Sequence, residues 1–414
     1  MGLVWNPSLI VDRRKLLKLA GAGGAVALAS PALAQRLANL GLPQGNGPSE
    51  REITTAFPQK GAMILQRTRP PLLETPMEVF DDGVFTPNDR FFVRWHWAVL
   101  PTAINVDRYR LKVRGAVNTP LSLSLEQLLR DLPRVEMAAV NQCSGNSRGF
   151  FQPPVPGGEW GHGAMGNAKW MGVRLKDVLD RAGVKPGAVA VRFSGMDEPV
   201  VAEGPDFRKS LSIDHARDGE VMLAFAMNGE ALPLLNGFPL RVIVPGWFST
   251  YWVKMLDDIE VLTQEDDNFW MAKAYKLPDN RYANAKPGEK NVPTVPISNM
   301  VPRSWITNLT DGQKVYLKDP IYIRGIAMGG TAGVKRVDIS PDHGRHWYPT
   351  RLGPDEGRYG FRRWEVTARL PRAATVPLSV RCTNMDGETQ TLWQNWNSGG
   401  YRRCGVETIT VAAA

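Results

Sequence analysis

The hydrophobic pattern of this chain is mostly that of strands. Tyr109 to Val117 alternates between apolar and polar residues and ends its strand at Gly115, and Val135 to Val140 is an apolar, strand-like run. Val189 to Gly195 predicts a strand that closes in a turn at Gly195-Met196-Asp197-Glu198, and Glu220 to Gly229 and Leu240 to Gly246 predict further strands. Across Phe92, Arg94 and His96 the alternation puts Arg94 and His96 on one face of a strand, among bulky aromatics that argue for partial burial. Two stretches have helical spacing: Ser124 to Leu132, with Ser124 as its cap, and the amphipathic Val173 to Ala182. From about Pro293 the texture changes to short strands between Gly, Pro, Asp and Asn turns, as in Tyr322 to Ile326, Val334 to Ser340, Arg363 to Val366 and Leu378 to Cys382. That spacing predicts a β-sandwich of immunoglobulin type. The expected class is α+β, mostly β.

Composition sharpens this in three places. A chain of 414 residues has room for two domains or one large one, and its 40 glycines and 32 prolines favour strands and loops over helices. The stretch from Gln35 to Arg69 is polar, with Gly and Pro throughout, and reads as an extended arm or linker. The first 34 residues read as an address label: a twin-arginine region (Asp12-Arg13-Arg14-Lys15), an apolar stretch from Leu19 to Ser30, and the cleavage signal Ala32-Leu33-Ala34. Its apolar run is shorter than the roughly 20 residues that span a bilayer, and no other segment is a candidate span. Its removal lowers the net charge by 3, from +9 to +6, which suits an anionic substrate or an acidic partner. No basic run is interleaved with aromatics, which argues against nucleic acid. The predicted organisation is a signal peptide over 1–34, an arm over 35–75, a catalytic domain over 76–290 and a sandwich over 291–414.

Candidate chemistry begins at Asn141-Gln142-Cys143-Ser144-Gly145-Asn146-Ser147-Arg148-Gly149, where a strand opens into a polar loop. The chain has three cysteines, and only Cys143 sits among amide, hydroxyl and guanidinium groups that suit a thiolate. A buried structural cysteine is the plain reading on residue type, but such a cysteine needs no polar escort. Two chemistries use a lone activated cysteine, nucleophilic catalysis and metal ligation. With five histidines, none in a protease-like local sequence, and no paired cysteines, neither a cysteine protease nor a zinc or iron–sulfur site is indicated. A metal held by one cysteine takes its other ligands from elsewhere, for example from an organic cofactor.

The strand followed by Gln142-Cys143-x-Gly145-Asn146-x-Arg148 resembles the molybdenum loop of the sulfite oxidase family. So do Asn88-x-x-Phe91-Phe92-x-Arg94-x-His96, the run from Gly161 to Trp170, Phe238-Pro239-x-Arg241-x-x-x-Pro245-Gly246 with Trp252-Val253-Lys254, and Tyr275 within Phe269 to Pro278. The resemblance covers nearly all of the chain after residue 34, in family order. It implies Cys143 as the molybdenum ligand of a Mo-molybdopterin, with one molybdenum per chain. It implies that Phe92, His96, Asp197, Arg241, Trp252 and Lys254 lie against the pterin cofactor, Arg241 and Lys254 holding its phosphate. Arg94 and Arg148 would orient the substrate anion, and Tyr275 would hydrogen-bond at the reaction centre. The implied reaction is oxidation of sulfite to sulfate by a periplasmic, haem-free dehydrogenase that passes electrons to a c-type cytochrome. The alternatives are the sulfane dehydrogenase subunit of a thiosulfate-oxidising complex, a periplasmic methionine sulfoxide reductase, against which the sequence after Pro293 argues, and, from a different class, a non-catalytic periplasmic binding or structural protein. Val337 to Trp347 resembles the family's dimerisation domain, which implies a homodimer and makes His343 and His346 turn and surface residues. Asn236 stands where vertebrate members have a pterin-binding histidine. Thr408, with Arg402 and Arg403 nearby, stands where some relatives have a further substrate arginine. Cys382 and Cys404 are read as unpaired.

Overall fold

The alternating segments fold into strands close to where their pattern puts them. The computed structural model describes residues 36–316, 320–369 and 375–413, so the twin-arginine segment over 1–34 lies outside the described residues. The polar stretch after it is a sheet and not a linker. Strands β1 (Leu37–Asn39), β2 (Glu50–Thr54), β3 (Met63–Arg67), β4 (Leu72–Glu74) and β5 (Val93–Arg94) form one antiparallel meander. These strands are too short for a two-residue period to show in the sequence. The sheet is pinned by Met63, Leu73, Val93 and Trp95, which pack with Leu235 and Met255 into a small core of their own.

Two further sheets form the middle of the molecule. One runs in the order Arg208–Ser212, Ala190–Gly195, Leu256–Leu262, Leu111–Gly115, Leu121–Leu123. Its parallel pair, Leu256–Leu262 with Leu111–Gly115, comes so close at Gly115 that a Cβ there would sit 2.2 Å from the Val261 carbonyl oxygen. The other is built on a long hairpin, Arg134–Gln142 against Met165–Arg174, flanked by Met222–Met227 and Arg241–Ile243. Val173 and Arg174, expected to open a helix, are held in this hairpin by pairing to Leu223 and Met222, and the helix is Leu175–Ala182. Tertiary pairing decides the boundary there over local spacing. The helix Leu125–Asp131 starts as its sequence indicates, with Ser124 and Gln127 forming a reciprocal cap.

The C-terminal strands form the expected sandwich, a four-stranded sheet (Arg303–Ile306, Ile321–Met328, Arg362–Ala368, Arg351–Leu352) facing a five-stranded one centred on Thr375–Asn384. Ile323, Val337, Trp364, Leu378, Cys382 and Val411 fill the space between. The main core also takes in Met300, Trp305, Ile326, Met328, Tyr359 and Phe361, so apolar packing is continuous from the central hairpin into the sandwich. Polar contacts reinforce the seam: the Val140 amide donates to the Tyr359 carbonyl at 2.8 Å, and Arg324 pairs with Asp81. Cys382 and Cys404 are buried and free. His343 takes a left-handed turn conformation, and His346 is exposed and pairs with Asp342. Among the described residues no helix is long and apolar enough to cross a membrane.

Candidate active site

The loop that opens the central hairpin is held by its own amides and by a second loop. The Cys143 amide donates to the Ala164 carbonyl at 2.9 Å, the Ala164 amide donates to Asn146 Oδ1 at 3.0 Å, and the Ser147 amide donates to the Gly161 carbonyl at 2.7 Å. Behind the second loop lies Glu74, which accepts from the amides of Gly161 at 3.0 Å and Gly163 at 2.8 Å and from Gln66 at 2.7 Å. Burial pushes this carboxyl up, and those donors pull it back. His162 does not line the mouth of the site, unlike its neighbour Trp160. It turns the other way, stacks on Phe150 and shares a 2.7 Å hydrogen bond with Ser147 Oγ. Arg303 of the sandwich donates to the same hydroxyl at 3.1 Å and pairs with Glu407. Burial opposes ionisation of Glu407, but Arg403, His162 and Arg303 outweigh it and hold the carboxyl at about 2.

Cys143 is 6% exposed and lies where two cavities meet. The deeper one is a narrow cleft whose walls include Phe92, Arg94, His96, Asp197, Arg241, Trp252 and Lys254. The structure thus brings together on one cleft every residue that the sequence placed against a cofactor. Five buried polar atoms on its walls have no hydrogen-bond partner: Arg94 Nη1, Asn141 Nδ2, Ser144 Oγ, Arg241 Nε and Thr250 Oγ1. Buried polar groups are rarely left unsatisfied, so five on one cleft call for a polar ligand. Three cations, Arg94, Arg241 and Lys254, line it against a single carboxylate, Asp197. Burial pulls the Arg241 guanidinium down to about 9, and burial beside Arg241 pulls the Lys254 ammonium down to about 7. Arg241 lies over the rings of Trp170 and Trp252, and Lys254 lies 4.2 Å from the ring centroid of Trp95. Burial pushes the Asp197 carboxyl up to about 6. This donor set fits a molybdopterin: two fixed cations for a phosphate, free amide and hydroxyl groups for a polar ring system, and one thiol beside them for the metal.

The second cavity, about 220 Å³, opens from Cys143 towards solvent and is lined by Arg67, Arg94, Arg148, Tyr275, Tyr401 and Trp160, with no carboxylate in its walls. Arg148 is clamped in place. Its Nε donates to the Gly399 carbonyl at 3.2 Å, its Nη1 to the Gly158 carbonyl at 3.3 Å, and its guanidinium carbon lies 4.9 Å from the Tyr401 ring centroid. Gly145 leaves room for it, since a Cβ there would fall 2.5 Å from Arg148 Nη2. Tyr275 adopts φ +53, a left-handed conformation that is an outlier for a bulky side chain, and its carbonyl accepts from Ile297 at 2.8 Å. Its hydroxyl is hydrogen-bonded to His96 Nε2. Burial raises the Tyr275 phenol above its usual range and, aided by Arg94, Lys254 and Lys209, lowers the His96 imidazolium well below its own. Near neutral pH the pair is therefore an uncharged phenol against an uncharged imidazole.

Sequence reasoning missed four residues here. Lys60, in the loop between β2 and β3, donates to Asn236 Oδ1 at 2.5 Å, and burial pulls its ammonium down to about 7. Asn236 Nδ2 in turn donates to the Phe92 carbonyl at 3.1 Å, so an amide braced by a lysine occupies this wall of the cleft. Lys209 is buried behind Tyr275, 5.5 Å from its ring centroid, and donates to the Trp270 carbonyl at 2.8 Å. Arg67 and Tyr401 line the mouth. An isolated basic residue in a polar stretch carries no local signal, whereas the Gly399-Gly400-Tyr401 turn was a visible one. The C-terminal candidates are elsewhere. Thr408 lies on an inner strand of the sandwich with Ser379, Arg402 faces a separate small cavity, and Arg403 is tied to Glu407.

Comparison with known proteins gives the family of the chain. Residues 97–270 match the oxidoreductase molybdopterin binding domain, and residues 294–400 match the Mo-co oxidoreductase dimerisation domain. The chain is 31% identical to sulfite oxidase of Arabidopsis thaliana, over 77% of its own length and 82% of the plant protein. It is 34% identical to mitochondrial sulfite oxidase of Homo sapiens over 82% of its length, but spans less than two thirds of that protein (64%). The structure of the sulfane dehydrogenase SoxCD from Paracoccus pantotrophus superposes with a TM-score of 0.70 at 24% identity, covering 96% of this chain and 95% of the other, which establishes likeness of fold.

Proposed function

Because the chain belongs to the sulfite oxidase family of molybdopterin oxidoreductases, we propose that it oxidises sulfite to sulfate at the junction of its two cavities. The observation that carries this reading is Cys143 itself, shared by a cleft with buried cations and five unpartnered polar atoms and by a cavity of arginines without a carboxylate. When bound, the molybdopterin supplies a two-electron couple and transfer of an oxygen atom. Arg241 and Lys254 would hold its phosphate, and Cys143 would ligate the metal. Sulfite and water become sulfate, two protons and two electrons, so a dianion enters and a dianion leaves.

The residues of the chain account for binding and orientation of that anion. Arg94 presents a buried, unpartnered Nη1, and Arg148 presents a guanidinium already fixed by two carbonyls. Such preorganised donors lose little reorganisation when substrate arrives. The Tyr275 hydroxyl, kept neutral by burial, offers a further hydrogen bond, and its partner His96 fixes its direction. Trp160, 2% exposed, closes one wall and excludes water. We further infer export to the periplasm in a folded state, from Arg13-Arg14 and the following apolar stretch, with a c-type cytochrome as the external electron acceptor and no haem on the chain. The C-terminal sandwich would form a homodimer, consistent with its match to a dimerisation domain.

The test is sulfite-dependent reduction of ferricyanide and of cytochrome c by protein carrying molybdenum. Turnover with sulfite supports the reading. Molybdenum-bearing protein that ignores sulfite but oxidises a protein-bound sulfane sulfur would replace it.

A further inference from the structure

Arg67 and Arg94 come from different strands of the N-terminal sheet, and the register places them in one row. Arg67 on β3 pairs with Leu72 on β4, and Leu72 pairs with Arg94 on β5. Directly opposed residues on antiparallel strands share a face, so Arg67, Leu72 and Arg94 point to the same side. All three line the cavity above Cys143. The strand spacing puts the two arginine backbones about 10 Å apart, near enough for long side chains to converge on one small anion. An irregularity in the β3–β4 pairing makes this possible. Leu65 pairs with Leu73, and the next pair is Arg67 with Leu72, so Gln66 is the extra residue of a bulge. Without the bulge Gln66 would face the cavity, and Arg67 would point away from it. Leu72 is buried and Arg67 exposed, which puts Arg94 deep in the cavity and Arg67 at its rim.

We propose that Arg67 is a substrate-binding residue, the rim arginine that draws a dianionic oxyanion into the cavity and discriminates it from monoanions. The assignment rests on the sulfite reading above and adds a residue and a selectivity to it. Arg94 and Arg148 supply two positive charges at the bottom of the cavity, and Arg67 adds a third at the opening of walls that carry no carboxylate. A dianion gains from each of these charges about twice what a monoanion does. Because Arg67 is solvent-exposed, its effect falls on capture, not on the chemical step, and shrinks as salt rises.

The test uses cofactor-loaded protein and two readouts: calorimetric titration with sulfate and with nitrate, and steady-state kinetics with sulfite. In Arg67→Gln we expect sulfate affinity to fall, and the KM for sulfite to rise, about fivefold, with nitrate binding changed less and kcat within about twofold. Arg67→Lys should recover most of the loss, and 0.5 M salt should shrink the difference between wild type and Arg67→Gln. Sulfate affinity equal to wild type in Arg67→Gln, equal losses for nitrate and sulfate, or a wild type that binds no sulfate overturns the proposal. Wild-type protein that binds sulfate but does not oxidise sulfite refutes the sulfite reading, and the titration still decides the role of Arg67.

Discussion

The two cavities that meet at Cys143 are built on opposite principles. The deep cleft is closed, and its cations are uncomfortable: burial holds Lys254 at about 7 and Arg241 at about 9, and five polar atoms wait without partners. The outer cavity opens at an exposed rim with no carboxylate in its walls. Its Arg148 is braced by carbonyls and an aromatic ring, as Arg241 is in the cleft, but without the cleft's row of unpartnered atoms. The difference separates a site made for a resident group from one made for a visitor. A resident group can supply the missing charge and hydrogen bonds once and keep them. A visitor must find its partners in place and still be able to leave.

Substitutions on the two sides should break this contrast in different ways. The largest effect belongs to the shared residue. Cys143→Ser should fold with an unchanged far-ultraviolet circular dichroism spectrum and lose sulfite turnover by about a thousandfold or more. Arg148→Gln, on the visitor side, should keep its molybdenum and lose roughly a hundredfold in kcat/KM for sulfite. Lys254→Met, on the resident side, should show the reverse pattern. Its molybdenum content should fall by well over half, while the melting temperature of cofactor-free protein rises by about 2–4 °C, because the burial penalty on the Lys254 ammonium, which outweighs the pull of Asp197, has been removed. If Lys254→Met destabilises the cofactor-free protein and spares its molybdenum, the cleft is not the resident site.

Proton linkage gives a smaller test of the same contrast. Lys60, Lys209 and Lys254 are each held at about 7 in the folded chain by burial, against an ordinary value near 10.5. Between those values the unfolded chain binds more protons than the folded one, so cofactor-free protein should gain stability as pH rises from about 7 towards 10.5 and lose it on the way down. Cofactor loading should flatten this slope, because a phosphate beside Lys254 favours its charged form. Denaturant midpoints taken across that window on both forms would check it. The smallest expected effect is that of Gly145→Ala. Its Cβ would press on the Arg148 guanidinium and should raise the KM for sulfite about threefold.

The contrast also governs what could be read from the sequence. The cleft was legible because most of its expected residues stand in recognisable motifs, Phe92 and His96 in one, Cys143 in a second, and Arg241, Trp252 and Lys254 in a third, and all of them line it with Asp197. The outer cavity shares Arg94 and Cys143 with those motifs but adds Arg67, Arg148, Tyr275 and Tyr401 from four distant places. Arg67 and Lys60 were invisible because they stand in a polar stretch whose three-to-five-residue strands give no period to read. Lys209 looked like any strand lysine, and only packing shows that it is buried behind Tyr275. Of the C-terminal candidates, Thr408 belongs to the sandwich, and the carbonyl of Gly399 and the ring of Tyr401 meet Arg148 instead. In the sandwich, by contrast, the long strands Ile321–Met328, Val334–Ser340, Arg362–Ala368 and Thr375–Asn384 were legible, because each buries one face in a shared core, whereas the short or fully buried ones, such as Arg303–Ile306 and Arg351–Leu352, were not.

The most direct test of the account is X-ray absorption at the molybdenum edge on wild-type protein and on Cys143→Ser. We expect about one molybdenum per chain in the wild type, and one fewer sulfur neighbour around the metal in the variant. An equal number of sulfur neighbours in the two proteins, or wild-type protein that takes up no molybdenum in a host that makes the cofactor, would contradict the assignment of Cys143 as the metal ligand at the junction of the two cavities.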